Sequence, residues 1–389
     1  MIIAFGLLCL SLAATIWGPY HAVNDYHDIR IYYQRGIWVS TGEQPYLDVF
    51  SEYPQIATWL FALPHVFAEY WSGENSKPTA EIAYRFVFSG MMALCLAALV
   101  ALAAGLRKDR RWLAFLLLLP ASLYFTQNRF DVLPAFMVLA SLAVLQYGRY
   151  QGAFILLGVA TGIKWYALVL LPVYAAFLYQ TNRRSLYPAA VSYGATIAII
   201  FLPTLFIIGL DGFLVPYNFH LTRTMNSESL LHLMTVTLSR AGFPREMLEP
   251  LFLKIFLILQ FAVAPLCFFA RIDSGEKVLR WSAISVLCFM LFAKFYSPQW
   301  ILWISPLLIL LCRTKMEIAG IIVFDLVTYL YFPLIYYTVD KHPLWFPGII
   351  ALKTALIGIW MLYLLRGEKF SIAQISSPLA AGSVVGGKE

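Results

Sequence analysis

The sequence predicts an all-α protein that crosses a membrane many times. Three observations carry that expectation. Apolar residues make up 61% of the 389-residue chain and charged residues 13%, where a soluble domain carries about a quarter charged residues. Mean hydropathy is +0.73. The apolar residues are also gathered into runs separated by polar turns, and successive turns alternate in charge.

The runs fall near residues 2–17, 82–106, 112–126, 132–147, 153–163, 165–180, 187–209, 250–270, 281–293, 300–311, 317–337 and 347–365, which gives about twelve spans. The first lacks a basic leader and a small-residue cleavage site, so it reads as a retained span. A hydrocarbon core of about 30 Å needs roughly 20 helical residues. The runs 112–126, 281–293 and 300–311 are shorter. Their outer ends are therefore expected to line a protein-walled or water-filled cavity. The break at Lys164 separates 153–163 from 165–180.

Two long segments, 18–81 and 210–249, interrupt the spans. Within the first, residues 28–40 suggest a short interfacial helix. Residues 55–71, with Pro64 and His65, form an apolar stretch that reads as a helix on or dipping into the membrane surface, because a crossing there would invert every later loop. Residues 1–366 read as one integral membrane domain. The tail 367–389, rich in Ser, Gly and Ala, reads as disordered.

With the N-terminus in the cytoplasm, the inner loops hold 15 basic and 6 acidic residues. The segment 18–81 carries eight acids against Arg30, Arg35 and Lys77. That bias places both long segments on the non-cytoplasmic side and both termini in the cytoplasm. The net charge of +7 then reflects orientation and anionic headgroups, not nucleic acid. All six histidines fall on the outer side, as do Trp17, Tyr20, Trp59, Trp71, Trp300 and Trp345, which read as an aromatic belt. The five cysteines are scattered without a CxxC pair and read as small buried hydrophobes. No HExxH, GxSxG, Walker or GxGxxG pattern occurs, so hydrolase, NTPase and dinucleotide readings lack local support.

Asp28, Arg30, Glu52, Arg129, Asp131, Lys164, Arg223, Glu228 and Lys294 collect in the outer segments and at outer span ends. Charges near hydrocarbon depth are costly and are retained for a purpose or paired. Carboxylates among several cations suit a reaction in which a base deprotonates a hydroxyl while a phosphate is held and leaves.

Four stretches carry a resemblance. They are His27-Asp28-Ile29-Arg30-Ile31-Tyr32-Tyr33 followed by Gly36 and Pro45-Tyr46; Phe50-Ser51-Glu52-Tyr53-Pro54; Asp131 to Pro172, with Gly162-Ile163-Lys164; and Ser297-Pro298-Gln299-Trp300-Ile301-Leu302-Trp303. Over about residues 25–310 the chain resembles the membrane-embedded GT-C glycosyltransferases. Within them it is closest in look to glycosyltransferase family 87, the polyprenyl-phosphate-mannose-dependent α-mannosyltransferases. Gln127-Asn128-Arg129-Phe130-Asp131 departs from the Gly-Gln turn of many members.

The resemblance implies a GT-C fold with two long non-cytoplasmic segments, in a bacterial or archaeal plasma membrane. It implies a polyprenyl-phosphate sugar donor, a glycolipid or glycan acceptor, and Asp28 as general base. One carboxylate suffices for inversion when the leaving phosphate is already anionic. The bland alternative makes Asp28 a solvated acid or part of a helix cap near Asp25. Lys164 has no acid nearby in sequence, and a lipid phosphate would supply its counter-charge; snorkelling is the alternative. Arg129, Arg223 and Lys294 are further donor-phosphate candidates. Arg30 is expected to orient Asp28 or hold an acceptor phosphate. Glu52 and Tyr53 suit sugar hydroxyls and a ring face. His220 and Glu228 suit a substrate wall, and Asp131 either pairs with Arg129 or touches substrate. No metal ligand set and no required cofactor are expected. A divalent ion would aid a diphosphate leaving group, whereas a monophosphate held by Lys and Arg manages without one. A transporter or flippase for a lipid-linked or polar substrate, and a noncatalytic donor-binding subunit, are the rival readings.

Overall fold

The computed structural model describes residues 27–72, 77–338, 345–366 and 368. The expected first span at 2–17, Asp25, Cys9, His21, His342 and the tail from 369 lie outside the described residues. Among the described residues, regular structure is helical except for one isolated bridge between Pro45 and Val49.

Helices form within both stretches expected to be helical in the first long segment, as α1 (His27–Gly36) and α2 (Gln55–Ser72). Tyr32 of α1 stacks on Phe61 of α2, with ring centroids 4.5 Å apart and planes 7° from parallel. A Cβ at Gly36 would collide with the Phe61 carbonyl oxygen, so a glycine there lets the two backbones approach.

The span-forming helices follow the apolar runs. α3 is Lys77–Leu106. A 3₁₀ segment Lys108–Leu118 leads into α4 (Pro120–Asn128), and α5 (Val132–Gln146) follows a bend of 111°. α6 is Tyr150–Ile163; the 3₁₀ turn Trp165–Leu170 then enters α7 (Leu171–Thr181). α8 (Arg183–Thr222) breaks at Gly209, whose φ of 70° and ψ of −177° lie outside helical space; glycine takes that conformation without steric cost. The remaining helices are α9 (Leu230–Arg240), α10 (Arg245–Gln260), α11 (Val263–Phe269), α12 (Gly275–Phe292), α13 (Ile301–Leu311), α14 (Lys315–Tyr329) and α15 (Trp345–Leu365).

Among the described residues, five helices are long and apolar enough to cross a membrane alone, or six counting the bent α4–α5 pair as one span. The expected count of about twelve does not follow from the structure, because several runs form short helices. α13 has 11 residues, about 16 Å at 1.5 Å per residue, and is buried from Ile301 to Leu310. α6 has 14 residues, about 21 Å. Long α8 and Arg245–Phe269 are by contrast only 11% and 17% buried over their apolar windows. The largely exposed α8 and Arg245–Phe269 thus contrast with the short, enclosed α13, and a helix packed within protein need not match the bilayer thickness.

A buried helix end needs hydrogen-bond partners inside the protein. Asp325 of α14 supplies them to α4, accepting from Ala121 N at 2.9 Å, Ser122 N at 3.1 Å and Ser122 Oγ at 2.8 Å. α14 itself begins with a capping box formed by Thr314 and Glu317.

The basic loops expected on one side do meet at one end of the bundle. Arg107 donates to the carbonyls of Leu310 and Cys312 at 2.5 and 2.6 Å, Arg110 to that of Arg313 at 2.6 Å, and Arg313 pairs with Glu276. Gln180 bonds Ala270 and Ile272, and Tyr363 bonds Glu317. A cavity of about 750 Å³ opens at this end between Arg107, Arg110, Gln146 and Gly275. The ionisable residues from the sequence motifs gather at the other end.

Candidate functional site

Asp28 sits in the first turn of α1, and its carboxylate takes a 2.7 Å ion pair from Nε of Arg129, whose side chain is 5% exposed. Arg129 stands in the link between α4 and α5, so the 111° bend aims it at α1. The Tyr32–Phe61 stack fixes the height of α1 on α2, and Phe130 packs edge-on against Tyr32, Tyr53 and Phe61. The aromatic residues of the first motif thus form the mount for its carboxylate.

Two residues along the link, Asp131 is fully buried. Its Oδ1 accepts from Lys164 Nζ at 2.7 Å and from Trp303 Nε1 at 2.8 Å. Lys164 is in extended backbone between α6 and the following 3₁₀ turn. Its ammonium lies 4.4 Å from the Phe130 ring centroid, 5.5 Å from Trp303 and 5.9 Å from Tyr53. A carboxylate of the chain itself, 33 positions away in sequence, therefore meets the charge of Lys164, where a lipid phosphate was expected to do so. Asp131 pairs with Lys164 instead of Arg129, because the bend turns residues 129 and 131 toward different neighbours.

Glu52 pairs with Arg35 at 3.1 Å, and its carbonyl meets His220 Nε2 at 3.0 Å. Tyr53 is enclosed; burial, and then the nearby Asp28, Glu52 and Asp131, push its phenol well above its ordinary value. Tyr46 braces this turn by donating to the Tyr53 carbonyl at 2.9 Å. His220 and Tyr217 of the second limb of α8 pack against Trp165 at 5.2 and 4.8 Å.

Arg223 follows α8 directly. Its guanidinium lies 3.3 Å over the Phe295 ring and 5.4 Å from Phe219. Asp28, Glu52 and Glu228 are within its electrostatic reach, but no ion pair to it is found among the described residues. Lys294 donates to the Leu221 carbonyl at 3.0 Å, and partial burial and then the charge of Arg223 push its ammonium down. These two cations differ from Arg129 and Lys164, which have carboxylates in direct contact.

Glu228 is 8% exposed, and burial raises its carboxyl even though Tyr331, Lys353, Arg129 and Arg223 surround it. Asn226 clasps the neighbouring strand of chain, donating to Tyr296 O at 2.7 Å and accepting from Tyr296 N at 3.0 Å. Arg30 stands apart from this cluster: its side chain is 69% exposed and pairs with Glu81 at 3.6 Å. It does not touch Asp28; Arg129 does, since residues two apart on a helix, about 200° around its axis, face nearly opposite ways. Among the described residues no group of three or more His, Cys, Asp or Glu could hold a metal ion.

Residues 50–298 match glycosyltransferase family 87. The chain belongs to that family. No curated protein matches it. The family 87 match spans Glu52, Arg129, Asp131, Lys164, His220, Arg223, Glu228 and Lys294. It begins after Asp28 and ends before Trp303 and Lys353, so the structure alone ties those three to the family 87 region, through Arg129, Asp131 and Glu228.

Trp303 as a partner of Asp131, and Lys353 and Asp325 as site or packing residues, emerge only from the structure. Lys353 and Asp325 carried a usable signal, being single charges within otherwise apolar runs. An indole donor carries none.

Proposed function

We propose that this family 87 glycosyltransferase moves a sugar, mannose by its resemblance, from a polyprenyl-phosphate donor to a hydroxyl of a glycolipid or glycan at the non-cytoplasmic face, with inversion. The observation that carries the reading is that Asp28, held by Arg129, is within electrostatic reach of Arg223, which in turn acts on Lys294, and that neither of these two cations has a directly bound carboxylate among the described residues.

The acceptor oxygen attacks the anomeric carbon, its proton passes to the Asp28 carboxylate, and the bond from that carbon to the phosphate oxygen breaks. The phosphate leaves as an anion, so no general acid is required. Arg129 orients Asp28 throughout. Arg223 and Lys294 receive the phosphate. At an effective dielectric of about 20, one cation 4 Å from a unit negative charge contributes about 4 kcal/mol, enough for two such contacts to dominate headgroup binding. Lys164, neutralised by Asp131, lines the aromatic floor and adds field more than a direct contact. Tyr53 and Glu52 face the sugar, and His220 and Glu228 close the wall. Arg30 has no part in this scheme.

The test is transfer from radiolabelled polyprenyl-phosphate mannose by purified protein, with lipid extract as acceptor. Asp28→Asn should cut the rate at least 100-fold while donor binding persists; transfer at near wild-type rate removes Asp28 as base. Movement of donor across liposomes with no new covalent product would favour the transporter reading.

A further inference from the structure

We propose that Lys353, in the last described span, is a positioning residue for donor-phosphate binding, acting through the 226–229 segment; the inference rests on Arg223 and Lys294 being the phosphate site. Lys353 is 1% exposed in α15, beyond the region that matches the family. An ammonium inside a span requires compensation. Its Nζ donates to the main-chain carbonyl of Glu228 at 2.8 Å and lies 3.3 Å over the ring of Tyr296. No carboxylate stands within ion-pair distance of it among the described residues, although the charge of Glu228 acts on it.

Both of its partners lead to the phosphate site. Tyr296 is the second residue after Lys294, and its backbone is clasped in both directions by Asn226. Glu228 follows Asn226, and Ser229 caps α9 by accepting from His232 N at 3.2 Å. Arg223 lies three residues before Asn226, with its guanidinium on Phe295. Lys353 thus pins two chain segments to one point, one carrying Arg223 and the other Lys294. A cation in this position, unlike an apolar residue, can bond the carbonyl and sit on the ring at once. It sets the separation of the two phosphate-binding cations without touching the phosphate.

The test uses full-length protein in detergent, with undecaprenyl phosphate as probe and Kd read by native mass spectrometry. The variants are Lys353→Met, Lys353→Arg and Asn226→Ala, with Arg223→Ala and Lys294→Ala as references. Lys353→Met should weaken binding about tenfold or more with unchanged helical content. Lys353→Arg, which keeps a cationic N–H donor, should restore most of it, and Asn226→Ala should shift Kd in the same direction as Lys353→Met. If the two reference variants weaken binding while Lys353→Met and Asn226→Ala do not, the positioning role is overturned and the phosphate site stands. If the references bind as wild type, the phosphate assignment fails and the role of Lys353 falls with it. Should Lys353→Met not fold, Lys353→Arg and Asn226→Ala decide: a wild-type Kd for Asn226→Ala refutes the proposal.

Discussion

Replacing Lys164 by methionine isolates the energetics of the buried pair on which the floor of the site rests. Asp131 is 0% exposed and Lys164 16% exposed at the side chain, with 2.7 Å between ammonium and carboxylate. Removing one partner of such a pair costs about 3–5 kcal/mol, because the other charge is left uncompensated. The orphaned Asp131 has an escape, which is to take up a proton. For a carboxyl that ordinarily ionises near 3.9, uptake at pH 7 costs about 4 kcal/mol, at about 1.4 kcal/mol per pH unit, and that sets a ceiling on the loss. The sign follows from proton linkage. In Lys164→Met the folded state binds one more proton than the unfolded state near neutrality, so its stability falls as pH rises and recovers by about 1.4 kcal/mol per unit toward pH 4. The double variant Lys164→Met/Asp131→Asn carries no orphaned charge and keeps a carbonyl for Trp303 Nε1. It should recover about 2 kcal/mol of the loss and show no such pH slope. Equilibrium unfolding in mixed dodecylmaltoside–SDS micelles at pH 6 and 7 measures each quantity. A Lys164→Met protein within about 1 kcal/mol of wild type, or one whose loss is the same at both pH values, refutes the buried pair.

Gly36→Ala places a methyl against the Phe61 carbonyl; α1 must lift from α2, carrying Asp28 away from Arg129, and transfer should fall about 100-fold, as for angstrom-scale misplacement of a reacting group, while far-UV circular dichroism is unchanged. Asp325→Ala strands two buried N–H groups and the Ser122 hydroxyl at the start of α4, and should destabilise the protein by about 2–3 kcal/mol in the same unfolding assay. Trp303→Phe removes the indole donor to Asp131 but keeps a ring against Tyr166, whose centroid lies 3.9 Å away; it should cost about 1.5–3 kcal/mol, and no loss would mean the N–H contributes nothing to holding Asp131.

Much of the fold was legible along the chain. Helix limits follow the apolar runs closely: 132–147 became Val132–Gln146, 300–311 became Ile301–Leu311 and 347–365 became Trp345–Leu365. The helix expected at 55–71 became Gln55–Ser72. The charge alternation correctly grouped Arg107, Arg280, Arg313 and Arg366 away from Asp28, Lys164 and Arg223. The span count was not legible, since hydropathy reports that a segment avoids water without saying whether lipid or protein surrounds it. α13 and the apolar part of α8 look alike in composition, yet one is enclosed and the other exposed.

The sequence by itself determined that this chain is a helical membrane protein, which residues could carry chemistry, and that they lie toward one end. Those properties are local: a long apolar run leaves water wherever it occurs, and a charge beside it marks its end. Tertiary structure alone decided the partnerships. Lys164 met Asp131 across 33 positions and Trp303 met the same carboxylate across 172. Arg129, not Arg30, took Asp28. Ion pairs and hydrogen bonds act over a few ångströms in space, and the packing of the helices, with the bend between α4 and α5, sets which side chains come that close.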